Sequence, residues 1–213
     1  MPVRNEAAGI RQTLAPLQAL RAELEIILVD GGSTDATVER AGPLVDHILT
    51  SPPGRARQMN TGAAAASGDW LIFLHADTQL PPGFTAIIRQ QVTDWGRFDV
   101  QLEPASPLLR LVAWMMNQRS HLTGVCTGDQ CLVVRRDVFQ QLGGYADLPL
   151  MEDIELSKRL RRHSRPARLR PALTTSSRRW QKHGILRTIM LMWWLRLAYW
   201  LGVSPQRLAR WYR

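Results

Sequence analysis

Short apolar runs that end in polar turns alternate with helix-forming stretches along most of this chain. Glu25–Val29 is apolar and β-branched and breaks at Asp30-Gly31-Gly32-Ser33-Thr34-Asp35, the pattern of a buried strand entering a turn. Ser33 or Thr34 is placed to cap a helix starting near Asp35. Val45–Thr50 and Trp70–His75 repeat the strand pattern, and Ala56–Ala66 between them has strong helix propensity. Ala7–Leu20 reads as a helix that Pro16 divides or ends. Further on, Pro104–Ser120 contains the helical run Leu108–Met116, Cys131–Val134 is another strand, and Met151–His163 is a helix with Ile154, Leu156 and Leu160 inward. This alternation predicts an α/β fold, a doubly wound and mostly parallel sheet flanked by helices. Such sheets bind ligands beyond the carboxyl ends of their strands, which here are Asp30–Asp35 and His75–Thr78.

The last stretch differs. Ile185–Leu201 is nearly all apolar, with tryptophans at 193, 194 and 200, but Arg187 and Arg196 interrupt it. A spanning helix needs about 20 apolar residues, and a central Arg costs about 2.5–3.5 kcal/mol on insertion, so a membrane span is not expected. The two arginines fall on opposite sides of a helix, so the stretch is not a clean amphipathic face either. An interfacial or re-entrant helix, a partner or dimer contact and an intramolecular packing helix all remain open.

Length and composition narrow the class. The chain has 213 residues, 45% of them hydrophobic, which suffices for one ordinary domain with a real core and excludes a disordered chain. The sequence divides into 1–165, the strand-and-helix part, and 166–213, a basic, Trp-rich helical segment. The net charge of +9 is uneven, since from Arg159 to Arg213 there are Arg and Lys but no Asp or Glu. That end is suited to an anionic surface or a phosphorylated ligand. Nucleic acid is not expected, because the basic residues adjoin apolar tryptophan runs and no recognition motif is present. Cys126 and Cys131 form neither a disulfide framework nor a paired zinc spacing, which fits a reducing cytosol. No signal peptide is expected from the first residues, Met1-Pro-Val-Arg-Asn-Glu6, which hold no apolar h-region.

Four places can carry chemistry. His75-Ala76-Asp77 puts an imidazole and a carboxylate at a strand end, where one or two carboxylates can hold a divalent cation together with a diphosphate; a turn-capping Asp is the plainer reading. Asp30 with Gly31 and Gly32 allows close backbone approach and can accept hydrogen bonds from a base or ribose, or is a plain turn. Glu152 and Asp153 open a helix, where carboxylates are favoured by the dipole; Asp153 is also a suitable general base for an attacking alcohol. In Ser176–Trp180, the Arg pair can hold a leaving diphosphate and the indole can stack on a sugar ring, or the stretch is a solvated basic loop.

The order of these signals is more specific than any one of them. Pro2-Val-Arg-Asn5-Glu6, Val29–Asp35, Gly68–Asp77, Gly143-Gly-Tyr145 and Met151-Glu-Asp153 together resemble the family-2 glycosyltransferases, which have the GT-A fold. The Gly-Gly in Asp30–Ser33, Gly54–Asn60, Gly128-Asp-Gln130 and Thr175–Trp180 are similar to the small bacterial group of radical-SAM/selenodomain-associated transferases. The resemblance implies transfer of a sugar from a nucleoside diphosphate sugar to an acceptor hydroxyl with inversion; a lipid-linked acceptor is suggested only by the apolar Ile185–Leu201 helix and its basic flanks. The resemblance also implies Asp153 as catalytic base with Glu152 beside it. Pro2, Asn5, Glu6, Asp30, Gly32, Arg55, Asn60, Ala76 and Arg179 would bind the nucleotide sugar. Asp129, Gln130 and Trp180 would meet the acceptor, and Asp77 with His75 would hold Mn²⁺ or Mg²⁺.

Departures qualify the resemblance. His75 stands where relatives carry the first Asp of the metal motif, Gly31 where they carry the second Asp of Asp-Asp-Gly-Ser, and Ser176 where processive relatives carry Gln. Relatives also have an apolar strand before the Pro-x-x-Asn-Glu loop, and only Met1 precedes Pro2, so the expectation is that the native start lies several residues earlier. Expected partners are the sugar donor, a hydroxyl acceptor, a membrane surface and a second copy, at a cytoplasmic location peripheral to the inner face of the membrane. The rival classes are a nucleotidyltransferase acting on a sugar phosphate and a non-catalytic membrane-peripheral module.

Overall fold

The computed structural model describes residues 1–90 and 94–212. In chain order the elements are β1 (Pro2–Val3), α1 (Ile10–Leu14), β2 (Ile27–Asp30), α2 (Thr37–Ala41), β3 (His47–Thr50), α3 (Arg55–Ala65), β4 (Trp70–Phe73), β5 (Thr78–Gln79) and α4 (Phe84–Arg89). There follow β6 (Trp95–Glu103), α5 (Pro107–Thr123), β7 (Leu132–Arg135), α6 (Arg136–Gln141), α7 (Glu152–His163), β8 (Ala167–Ser176), α8 (Arg178–His183), α9 (Ile185–Trp200) and α10 (Pro205–Trp211).

The first sheet, in the order β1-β2-β3, is parallel throughout. Its central strand is buried at all four positions, as expected of a continuous apolar run covered on both faces. Met1 lies beside β2, its amino group donating to the Ile27 carbonyl at 2.8 Å and its carbonyl accepting from Val29 N–H at 2.9 Å. Pro16 ends α1, and a 3-10 turn over Ala15–Leu20 replaces the longer helix.

The second sheet has the order β4-β7-β6-β8-β5, with β6 and β8 parallel and the other neighbours antiparallel. The α/β expectation is met, with helices flanking both sheets, and the antiparallel pairs belong to the second sheet alone. Two of its strands, β6 and β8, carry no strand pattern in the sequence because charges interrupt them. Arg97 and Asp99 are buried on β6 and pair with each other. Asp99 also accepts from Arg168 Nε at 2.9 Å and Arg170 Nε at 3.1 Å on β8. Asn117 of α5 closes the set, exchanging two 2.9 Å hydrogen bonds with the Val100 backbone. Paired in this way, charges can lie inside a sheet.

The boundary expected at residue 165 is therefore misplaced. Ala167–Ser176 is a strand of the same sheet, and the helical part begins at Arg178. That part is seated on the start of α7: Met151, Ile154, Leu195, Ala198 and Leu208 form one buried cluster. On α9 the inward positions Thr188, Leu195 and Ala198 are buried, while Leu186, Met190, Trp193, Trp194, Leu197 and Trp200 are exposed. The helix thus packs intramolecularly by one face and leaves an apolar face outward.

Candidate active site

Four segments converge beyond the strand ends. The loop after β4 brings His75 and Asp77, the 3-10 turn Gly128–Gln130 brings Asp129, the first turn of α7 brings Glu152 and Asp153, and α8–α10 close over them. Together with Arg55 at the start of α3, they enclose a cavity of about 210 Å³ that Arg179, Trp180, Arg196 and Tyr212 also line.

Asp153 is fixed at both oxygens. Oδ2 accepts from the Gly128 N–H at 2.9 Å and Oδ1 from the Ile154 N–H at 2.7 Å, which holds the carboxylate at the helix N-terminus. Each oxygen keeps a lone pair for a further proton. Gly128 is required here: a Cβ at that position would lie 2.4 Å from His75 Cε1, so the turn can approach only with a bare backbone.

The charges of the cavity are mutually tuned. Glu152 is buried, and burial and then Asp153 push its carboxyl upward, against the opposing pull of Arg55, whose Nη1 lies 3.5 Å from Glu152 Oε1. Burial works against the Arg55 charge, but Glu152, Tyr212, Asp153 and Asp129 outweigh it and hold the guanidinium firmly protonated. His75 is driven down to about 3 by burial and then by Arg55, so it is neutral. Burial, then Asp129, raises Asp77, and burial raises Glu6, with Arg178 opposing in both cases. Arg178 reaches Glu6 at 3.4 Å. Asp77 borders both this cavity and a second one of about 450 Å³ lined by Glu6, Thr175 and Arg178.

The donor set fits a cation held jointly with a ligand. Asp77 and Asp129 bring two carboxylates to one wall, the number by which magnesium-type cations are held beside substrate phosphates. Among the described residues no group of three or more His, Cys, Asp or Glu forms a self-contained cation cage.

Several expected site residues face elsewhere. Asp30 is buried and turned onto its own loop, accepting from Gly32 N–H at 3.1 Å and from the N–H and hydroxyl of Ser33, so its lone pairs are taken. Asn60 is committed to Tyr145, donating to its carbonyl at 2.8 Å and accepting from its N–H at 2.9 Å, and lies outside the cavity lining. Gln130 is fully buried, bonded to Thr127 and Asn117, and supports the turn instead of reaching an acceptor. Asn5 accepts from Thr34 N–H at 2.8 Å and braces the neighbouring loop. Pro2 lies in β1 and the Ala76 carbonyl accepts from Thr13, so both act as framework.

Gln58 is a residue that motif reading passes over. Its Nε2 donates to the Val3 and Val29 carbonyls at 2.8 and 2.9 Å, tying the ends of β1 and β2. A Cβ at position 31 would meet Gln58 Cδ at 2.8 Å, so the bare backbone of Gly31 leaves room for that side chain. Arg196 and Tyr212 were equally hidden, since nothing in an apolar helix and a chain end announces a cavity wall. Tyr212 is covered by Arg179, whose guanidinium lies 3.9 Å from the ring centre and also donates to the hydroxyl.

Residues 1–94 match the family model of glycosyl transferase family 2. The matched segment runs from β1 through α4 and so includes Glu6, Arg55 and Asp77. The chain is 26% identical over 229 residues to the probable glycosyltransferase YdaM of Bacillus subtilis, covering 94% of this chain and 53% of that protein. It is 37% identical over 94 residues to the undecaprenyl-phosphate 4-deoxy-4-formamido-L-arabinose transferase of Pseudomonas fluorescens, covering 38% of this chain and 28% of that one. The chain thus spans about half the length, or less, of these curated relatives. Among solved structures, S. aureus TarS 1-349 superposes with a TM-score of 0.65 at 16% identity, over 83% of this chain and 59% of that one. The mannosyltransferase PcManGT from Pyrobaculum calidifontis, solved with GDP-Man and Mn²⁺, superposes at 0.62 and 19% identity, over 82% and 54%. The shared fold is the GT-A glycosyltransferase fold.

Proposed function

We propose that this chain is a nucleoside-diphosphate-sugar glycosyltransferase that passes the sugar to an acceptor hydroxyl with inversion. The observation that carries this reading is Asp153, fixed at both oxygens on the wall of a cavity where Arg55, Asp77, Asp129 and Arg179 converge. In the reaction Asp153 accepts the hydroxyl proton as the acceptor oxygen bonds to the anomeric carbon, and the bond to the nucleoside diphosphate breaks. Glu152 keeps Arg55 in place, and Arg55 with Arg179 offers positive charge to the departing diphosphate. A divalent cation would be held by Asp77, with Asp129 close by, and would supply further charge neutralisation on the phosphates. His75 supports the Gly128 turn as a neutral ring. The fit of Asp77 to a cation is supported by the Mn²⁺ in the PcManGT complex.

Asp153→Asn tests the assignment. Nucleoside diphosphate affinity should stay near wild type while sugar transfer disappears; transfer at the wild-type rate would remove Asp153 from the role of base. The product also discriminates, since release of pyrophosphate in place of a nucleoside diphosphate would make the enzyme a nucleotidyltransferase.

The finer reading concerns the acceptor and location. The undecaprenyl-phosphate transferase relative supports a lipid-linked acceptor. The outward face of α9 supports peripheral attachment at the inner face of a membrane, since it presents Leu186, Met190, Trp193 and Trp200 among Lys182, Arg187, Arg207 and Arg210. Among the described residues no helix is long and apolar enough to cross a membrane. Liposomes containing anionic lipid should retain the protein, and deletion of Ile185–Arg213 should release it. A dimer that hides this face, seen by light scattering, would replace the membrane as its occupant. The likeness of Gly54–Asn60 and Thr175–Trp180 supports membership of the radical-SAM/selenodomain-associated group.

A further inference from the structure

The two arginines assigned to the departing diphosphate are held in different ways. Arg55 is tied to the buried carboxylate of Glu152. Arg179 forms no ion pair among the described residues. It is exposed and stands on α8, a helix of only six residues. An arginine in that setting samples many rotamers, and ordering it on a ligand costs affinity unless something has already fixed it.

Tyr212 supplies that fixation from the opposite end of the C-terminal helices. The Arg179 guanidinium carbon lies 3.9 Å from the Tyr212 ring centre, well inside the reach of a cation–π contact, and Nη1 donates to the Tyr212 hydroxyl. The tyrosine is itself anchored. Its backbone N–H donates to the Leu208 carbonyl at 3.0 Å, and its side chain packs on the buried cluster of Met151, Ile154, Leu195, Ala198 and Leu208. Both Arg179 and Tyr212 line the cavity that holds Asp153.

The kind of partner matters as much as its presence. Arg178, the neighbouring residue, lies 3.4 Å from a carboxylate oxygen of Glu6, which offsets its charge. An aromatic face attracts a guanidinium without neutralising it, and a hydroxyl takes only one of its five N–H donors. Arg179 is thus restrained while its charge and its remaining donors stay available to phosphate oxygens.

We infer that Tyr212 is the positioning residue for Arg179, stacking the guanidinium on the cavity wall so that it meets the diphosphate already ordered. This deepens the transferase reading and rests on it. It gives α9 and α10 a task besides the outward apolar face: they return the chain so that Tyr212, 33 residues on in sequence, meets Arg179 of α8.

The test is a double-mutant cycle on the full chain, with UDP and GDP titrated by calorimetry in the presence of Mn²⁺ and the melting temperature followed beside it. Tyr212→Leu keeps an apolar side chain on the cluster but removes the ring face and the hydroxyl, and it should weaken nucleoside diphosphate binding about fivefold. Tyr212→Phe, which keeps the ring face, should recover most of that loss. In an Arg179→Ala background Tyr212→Leu should change the affinity no further, because a residue that acts through Arg179 has nothing left to hold. A merely structural role would lower the melting temperature with affinity unchanged, or would weaken binding equally with and without Arg179. Either result overturns the inference and leaves the transferase reading in place. Wild-type affinity in Arg179→Ala alone also overturns it, since Arg179 would then not meet the diphosphate. If neither UDP nor GDP binds the wild-type protein, the transferase reading is lost and the inference with it.

Discussion

Two groups of arginines in this molecule behave in opposite ways. Between β6 and β8, Arg97, Arg168 and Arg170 surround Asp99, and every charge finds a partner within the sheet. Among the described residues, Arg119 of α5 and Arg196 of α9 form no ion pair, and Arg119 Nε and Nη2 are buried without a hydrogen-bond partner. The first set is closed and explains itself as architecture, since it lets charged strands occupy the middle of a sheet. The second set is open, its donors left without a partner among the described residues. Arg97 is fully buried while the Arg170 side chain is 63% exposed, so burial alone does not sort these arginines; whether each charge has an internal partner does.

Breaking the closed set should have the largest effect. Asp99→Ala strands Arg97 in the interior and should cost about 3–5 kcal/mol, read from urea unfolding. The same group gives a pH signature. The surrounding guanidinia hold the Asp99 carboxyl below its ordinary range despite burial, so its stabilisation is present above the unfolded value near 3.9 and is lost as pH falls through the lower folded value. Acid unfolding that is unchanged in Asp99→Asn would contradict this. The other set should show the reverse sign: Arg119→Met should stabilise the fold, read as a higher urea midpoint.

An intermediate effect is expected at Gly31→Ala. The added Cβ would meet Gln58 and disturb the tie between β1 and β2, at about 1–3 kcal/mol of overpacking in thermal unfolding. A neutral outcome would show that Gln58 yields freely and that Gly31 stands there for another reason. The smallest change in stability is expected on the outward face of α9. Trp193→Ser with Trp200→Ser should stay within about 0.5 kcal/mol per site and still reduce vesicle binding. A large loss of stability would mean that this face is packed against protein in solution.

The contrast also shows what was legible in the sequence. β2 and β4 are apolar runs ended by turns, and reading them located Asp30 and Asp77 at strand ends. β6 and β8 were invisible because hydrophobic patterning counts Arg97, Asp99, Arg168 and Arg170 as surface residues, whereas they satisfy one another across the sheet. Missing β8 also displaced the boundary of the C-terminal helices. Site residues were legible by position and less so by direction. Asp153 and Arg55 point into the cavity, while Asp30, Asn60 and Gln130 belong to the same motifs but turn their side chains onto Ser33, Tyr145 and Thr127. Direction is set by loops such as Met151, held at φ 70°, and by the Gly128 turn, which depend on contacts from distant segments. Arg196 was legible as an interruption of an apolar helix, but its place on the cavity wall shows only when α9 is folded over Asp153.

The central claim is that these residues form a nucleotide-sugar site, and calorimetric titration of the full chain with UDP and GDP, with and without Mn²⁺, tests it most directly. The account expects one nucleoside diphosphate to bind in the presence of the cation, and Asp77→Ala to weaken that binding about tenfold or more. Absence of binding for both, or binding that is indifferent to both Mn²⁺ and Asp77, would contradict it.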